Sequence, residues 1–324
     1  QCRATRDPHS YPSLEQLSRE RAVLLSSSRA QNTMRTYHTA WQTFQLFRSN
    51  YNCNASTPPT IEQVALFISY MSWSNYSANT ISTYISALSF HERSHNREDI
   101  TQNFPIKRLV EGCRRRHARL DVRCPITMPL LHKLIATLPL VCQTSYHTKL
   151  FTATFLLAFF GFLRIGEFTS QGRSIPLLEA DVIVRGNPPQ RKVSVRIRSS
   201  KTDQRGRGCV ILLPESRSLC PVKAIVGYLE ARPQPVPTPG IDQGFAFFRQ
   251  FDGSPLTRQA FNRVLHRSIS FLGLPAHYYT AHSFRIGAAT SAAMAGFSDS
   301  HIQKMGRWVS GAYRGYIRLP AGEV

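Results

Sequence analysis

A change of periodicity near the middle of the chain limits the fold more than any other feature. Over residues 14–118 apolar side chains recur only at helical spacing. The sets are Tyr37, Trp41 and Phe44; Ile61, Val64, Ile68 and Met71; and Ile81, Tyr84, Ile85 and Leu88. Thr60 with Gln63 reads as a capping box that opens the second of these helices. A last amphipathic helix carries Ile106, Leu109, Val110 and Cys113 on one face. It ends in a basic cluster of Arg114, Arg115, Arg116, His117 and Arg119, which suits either a solvated face or contact with phosphates. Residues 118–126 have no helical period, and a fresh helix start stands at Pro129.

The second half alternates helices with strands. Two helices, over 128–139 and 145–162, lead into a stretch where Val193, Val195 and Ile197 alternate with Ser194, Arg196 and Arg198. That is the pattern of a half-buried strand, and residues 178–184 and 209–213 can flank it as antiparallel partners. Helices resume over 220–231, 256–272, 283–295 and 299–305, and the prolines at 233, 235, 237 and 239 make a stiff surface loop. The expected fold class is mostly α with a small antiparallel β-sheet, and 324 residues suit two domains. The divisions expected are a tail over 1–13, a helical domain over 14–118, a linker over 119–127 and a second domain over 128–324.

Charge narrows the function. Lys and Arg number 40 against 19 Asp and Glu, a net charge of +21 with a pI near 10.3. Such an excess repels itself in the folded state and suits a polyanionic partner, nucleic acid before an anionic membrane surface. The 42% hydrophobic content supports packed cores and argues against wholesale disorder. The most apolar run, 150–163, is shorter than the roughly 20 residues that a bilayer span needs, and reads as a buried core helix. Seven cysteines are odd in number, scattered and without a C-x-x-C, so neither a disulfide framework nor a zinc site is expected. That usage implies a reducing, intracellular setting. The chain opens at Gln1 rather than Met, as a piece of a longer polypeptide does.

Four segments hold residues suited to chemistry. Residues 280–296 read T-A-H-S-F-R-I-G-A-A-T-S-A-A-M-A-G, a good helix with His282 and Arg285 three apart near its start. There, backbone N–H groups attract an anion, the Arg fork can grip a phosphate, and the imidazole can move a proton. H-x-x-R alone is a weak sign. Residues 161–168, G-F-L-R-I-G-E-F, follow the most apolar helix. Arg164 and Glu167 there read equally as a plain ion pair or as an Arg presented to a phosphate and oriented by Glu167. Lys201, in R-S-S-K-T-D at a hairpin turn, reads alone as a solvent-exposed lysine. Residues 306–318, G-R-W-V-S-G-A-Y-R-G-Y-I-R, bring Trp308, Tyr313 and Tyr316, and aromatics near a chain end usually pack.

Their order says more than any one of them. Arg, turn Lys, H-x-x-R, G-x-W and then Tyr resembles the signature of the tyrosine recombinase (integrase) superfamily, from about residue 14 to the end. The resemblance implies that Arg164 and Arg285 clamp a scissile phosphate, with His282, Trp308 and the turn Lys201 completing the pocket. Tyr316 is then the nucleophile. It also implies a core-binding domain and a catalytic domain forming a C-shaped clamp on duplex DNA, acting as a dimer or tetramer. The G-R-W-x-S…Y-I-R wording is similar to recombinases of eukaryotic mobile elements, the DIRS-like and Crypton groups, which implies a nuclear setting. Two departures stand out: Trp308 occupies the place of a second His in many members, and its spacing to Tyr316 is about one residue tighter than in the bacteriophage branch. A Trp can position but cannot transfer a proton. Eight residues follow Tyr316, so either exchange of a C-terminal tail is absent or the chain is trimmed.

The chemistry so implied needs neither cofactor, metal, nucleotide nor small-molecule substrate. Two guanidinium forks can neutralise the charge gathering on a phosphorane-like transition state. A phenol with pKa near 10 is only about one part in a thousand ionised at pH 7, a deficit of roughly 4 kcal/mol. His282 is the proton acceptor for it, and Lys201 protonates the departing 5′-hydroxyl. The phosphotyrosine bond conserves the energy of the broken linkage, so religation can follow. Metal-dependent nucleases use clustered carboxylates instead, and Glu167 and Asp203 form no visible cluster. A type IB topoisomerase-like nicking–closing enzyme shares this chemistry, and a catalytically silent DNA-binding protein derived from a recombinase is the other alternative. A polybasic membrane-surface protein would need a bulky amphipathic helix that no box calls for.

Overall fold

Local signals start most helices. In the computed structural model, which describes residues 11–53, 58–117, 121–170, 176–198, 200, 203, 206–233 and 244–318, the Thr60–Gln63 box is closed in both directions. Ser13 and Gln16 make a second such box, and Ser77, Thr144, Thr257 and Ser298 cap other helices through their hydroxyls. The chain divides into two compact units, Gln1–Leu120 and Asp121–Val324.

The first unit is helical throughout its described residues: α1 (Leu14–Ser27), α2 (Gln31–Asn50), α3 (Ile61–Trp73), α4 (Ala78–Ser94) and α5 (Phe104–Arg116). Its core gathers Phe44, Phe47, Val64, Phe67, Ile68, Met71, Ile81, Ile85, Leu88, Ile106 and Cys113. Each such side chain stabilises the unit by roughly 1.5–3 kcal/mol when fully buried. Ile61 is exposed, because the first turn of α3 lies outside that core. The basic run at the end of α5 points to solvent, with Glu111 pairing Arg114 and Arg115 at 3.5 and 3.4 Å.

The second unit is built on α7 (Ser145–Phe160), whose residues from Leu150 on are almost all buried, as a core helix requires. Around it pack α6 (Met128–Val141), α8 (Pro221–Ala231) and α10 (Ala281–Met294), with α9 (Arg258–Phe271) against α6 and α10. The helix α11 (Asp299–Met305) follows α10. The sheet is antiparallel in the order β1 (Val182–Arg185), β2 (Lys192–Ile197), β3 (Cys209–Pro214). Val193, Val195 and Ile197 face the core, as their alternation requires.

Two expectations change. The strand read over 178–184 begins only at Val182, because the Asp181 carboxylate accepts from the Leu178 N–H (3.1 Å) and closes a 3₁₀ turn over 179–181. Residues 121–127, read as linker, run along α10 and the 3₁₀ turn (Ala276–Tyr278) before it: Cys124 N–H donates to Tyr278 O (2.8 Å), Ile126 N–H to Ser283 O (3.0 Å) and, just beyond, Met128 N–H to Ser291 Oγ (3.1 Å). Gly287 permits this approach, since a Cβ there would sit 1.8 Å from Ile126 O. The prolines at 235, 237 and 239 lie outside the described residues.

Candidate active site

The site grows from the end of α7. Gly161 closes the helix, Phe162 takes a left-handed turn (φ +47°), and Arg164 opens a 3₁₀ turn over Ile165–Glu167. Glu167 folds back to accept from the Arg164 N–H (2.9 Å) and from Arg164 Nη1 (3.1 Å). Its second oxygen also takes Arg307 Nη2 at 2.7 Å. The Glu167 side chain is only 5% exposed, so two arginines rather than water meet its oxygens.

Arg285 lies one turn into α10 and is fully buried. Its Nη1 donates to Phe162 O and its Nη2 to Gly306 O, while the guanidinium stacks 4.1 Å from the Trp308 ring centroid. Burial and repulsion from Arg164 and Arg307 weaken its hold on its proton. Two arginines thus share the Glu167 carboxylate, and a third, Arg285, is held by backbone carbonyls and an indole face. Among the described residues Arg285 Nε, Arg307 Nε and Trp308 Nε1 are buried donors without a hydrogen-bond partner. All three unmatched groups are donors, which is the imbalance an anion corrects.

The G-R-W segment is shaped by contact. A Cβ on Gly306 would fall 1.5 Å from the Trp308 ring, so only glycine fits beneath that indole. Arg307 adopts φ +56°, a conformation costing a non-glycine residue about 1–2 kcal/mol, and from it reaches Glu167 and the carbonyls of Gly161 and Phe162. A cavity of about 290 Å³ lies beside this segment, lined by Ile197, Gly208, Cys209, Arg307, Trp308 and Val309, with Ser200 and Asp203 of the β2–β3 turn. Lys201 belongs to that turn in sequence and lies outside the described residues.

Tyr316 ends a 3₁₀ turn over Gly311–Tyr316. Its ring centroid stands 5.0 Å from that of His282 and 4.9 Å from Trp308, with the Arg285 guanidinium 5.6 Å away. Tyr313 does something else. It is buried, and its hydroxyl donates to Asp299 Oδ2 at 2.7 Å. Burial, with Arg123 and Arg285 nearby, pushes the His282 pKa down to about 4, so its imidazole is neutral at pH 7 and can accept a proton.

Five of the six residues picked from sequence are described, and Arg164, His282, Arg285, Trp308 and Tyr316 gather in one place. Sequence reasoning passed over Arg307, although it stood inside the quoted G-R-W, and Arg123, which nothing local marks. Elsewhere two open grooves are lined by polar and basic residues. One, of about 660 Å³ along α9, presents Arg258, Gln259, Asn262, Arg263 and His266. The other, of about 520 Å³ in the helical unit, presents Arg29, Arg93, Lys107 and Arg114.

No protein-family model matches the chain, and no curated protein sequence matches it either. Solved structures do. The chain is similar to XerH site-specific recombinase bound to a palindromic difH substrate, with TM-score 0.63, 15% identity, and 94% of this chain and 80% of that one covered. A lambda integrase dimer bound to a COC′ core site aligns with TM-score 0.62 and 18% identity over 95% of this chain and 96% of that one. The Tn1549 transposon integrase with circular intermediate DNA aligns with TM-score 0.56 and 14% identity, over 88% and 91%. The fold is therefore that of tyrosine recombinases, mostly helical with a small three-stranded antiparallel sheet.

Proposed function

We propose that the chain is a tyrosine recombinase that breaks and rejoins DNA strands through Tyr316. One observation carries the reading: the Tyr316 ring lies against a neutral His282 and beside the Arg285 guanidinium, where buried donors exceed acceptors. Tyr316 Oη attacks a backbone phosphorus, the P–O bond to the 5′ oxygen breaks, and a 3′-phosphotyrosine forms. His282 takes the phenolic proton. Arg164, Arg285 and Arg307 meet the charge on the non-bridging oxygens, and Trp308 holds Arg285 by its ring face. By the sequence resemblance, Lys201 protonates the departing 5′-hydroxyl. The 5′-hydroxyl of the same or another strand later reverses the step, so no nucleotide or metal is consumed.

The polar grooves give duplex DNA its seat. Arg, Gln and Asn along α9 are side chains that pair with base edges, and the Arg/Lys groove of the helical unit suits phosphates. The structural neighbours are DNA-bound recombinases, which supports DNA as partner. We read the wider role as mobile-element integration or excision on nuclear DNA, with two or four protomers assembled on it. The test is a nicked suicide duplex: a covalent protein–DNA adduct mapping to Tyr316 and surviving EDTA is expected. An adduct that needs added magnesium, or one mapped elsewhere, would sink the assignment. A second reading is a silent DNA-binding derivative, favoured by the inward turn of Arg285 toward two backbone carbonyls. Duplex binding with no adduct would establish it.

A further inference from the structure

The segment that enters the second unit ends up in the neighbourhood of Tyr316. The Asp121 carboxylate accepts from Arg123 through both oxygens, at 2.7 and 2.8 Å, and from Arg318 Nη2 at 2.6 Å. Arg318 stands two residues beyond Tyr316 and also donates from Nη1 to Asp121 O (2.7 Å) and to Arg123 O. Its own N–H donates to Thr290 Oγ1 (3.1 Å), and that hydroxyl donates to Tyr316 O (3.2 Å). The backbone at Tyr316 and just after it is therefore tied to α10, the helix bearing His282 and Arg285, and to residues 121–123. Those residues are themselves laid on α10 through Ile126 and the Cβ-free surface of Gly287.

We propose that Asp121 is a positioning residue for Tyr316, acting through Arg318, with Arg123 orienting its carboxylate. The proposal rests on Tyr316 being the nucleophile. The Asp121 and Arg318 side chains are partly exposed, so their pair adds little to global stability, as for most surface ion pairs. Its geometric effect is larger, because Arg318 grips three acceptors on one short segment and leaves the preceding turn little freedom.

The experiment compares Asp121→Asn, Arg318→Gln and the double variant with wild type. The readouts are melting, duplex binding, adduct formation on the nicked duplex and amide hydrogen exchange over residues 311–318. Each single variant is expected to melt near wild type and to bind duplex within about twofold. Each should form adduct at least about tenfold more slowly, since small misplacements of a reacting group cost that much or more. Exchange over 311–318 should quicken in both. The double variant should be no slower than the worse single one, because both substitutions break the same clasp. Adduct formation at the wild-type rate in Asp121→Asn, or single effects that multiply in the double variant, would overturn the proposal. If the wild-type protein forms no adduct, the nucleophile reading fails instead, and exchange decides the clasp alone: unchanged exchange over 311–318 in Asp121→Asn overturns it.

Discussion

Two buried carboxylates, one in each unit, show how structural and chemical use of the same groups differ. In the helical unit Glu92 is almost wholly buried and takes Arg97 on both oxygens, Nε at 2.7 Å and Nη2 at 2.8 Å. One arginine fork closes on that carboxylate, with the His91 ring nitrogen 3.2 Å from Oε1. In the second unit Glu167 is equally buried, but two arginines divide it and a third, Arg285, has only carbonyls and an indole face. In the first arrangement a single arginine supplies a donor to each carboxylate oxygen. The second holds more positive charge than its own residues neutralise, and that asymmetry separates an anion-binding centre from a structural pair.

The sharpest way to test the comparison is through the side chain that the surplus charge serves. Tyr316→Phe is expected to abolish the DNA adduct and leave duplex binding within about twofold, since only the hydroxyl is lost. Tyr313→Phe should keep the adduct and lose the hydroxyl's bonds to Asp299 and from Arg314, on the order of 1–2 kcal/mol in a melting experiment. DNA mapped to Tyr313 would reverse the assignment within the same reaction class.

Removing either carboxylate tests the asymmetry itself. Glu167→Gln should destabilise by about 3–5 kcal/mol, because buried arginines are left facing one another. Phosphate or sulfate should recover part of that loss, read as a rise in melting temperature. Glu92→Gln also breaks a buried pair, but anions should not rescue it. Equal rescue of the two variants would mean that the two carboxylate sites do not differ in anion binding.

Arginine-to-lysine changes come next. Arg164→Lys and Arg285→Lys keep the charge and lose the planar fork, so the adduct rate should fall at least about tenfold with little change in affinity. A rate within about threefold of wild type, roughly 0.7 kcal/mol of barrier, would remove that residue from the site. Arg97→Lys should leave the rate alone and lower stability modestly.

The smallest effect is a pH dependence. The folded His282 pKa sits at about 4 against 6.5 for a free imidazole. Between those values the unfolded chain binds a proton that the folded chain does not. The neutral imidazole therefore contributes stability above pH 6.5, and that contribution fades as pH falls toward 4. In His282→Gln this part of the stability–pH curve should flatten; an unchanged curve would mean that His282 is not buried neutral.

Much of the fold could be read from local pattern. Capping at Thr60, the apolar run of α7, the alternation in β2 and the H-S-F-R helix each depend on residues close in sequence, and their elements formed within a few positions of expectation. The order Arg164, His282, Arg285, Trp308, Tyr316 was likewise visible, because each chemical residue type sits in a distinctive short setting. The start of β1 is not legible from alternation, since an Asp181 side chain capping its own turn competes with strand pairing.

What the sequence alone determined, then, is which elements exist and which side chains are candidates. Those follow from periodicity, caps and residue chemistry acting over a few residues. Which charges neutralise which was decided only by tertiary structure. Arg307 meets Glu167 across 140 positions, Arg318 meets Asp121 across 197, and Gly287 is needed because Ile126 passes 1.8 Å from where its Cβ would be. No local rule contains such pairings. They arise when packing around α7 brings distant segments together and burial makes every unmatched donor costly.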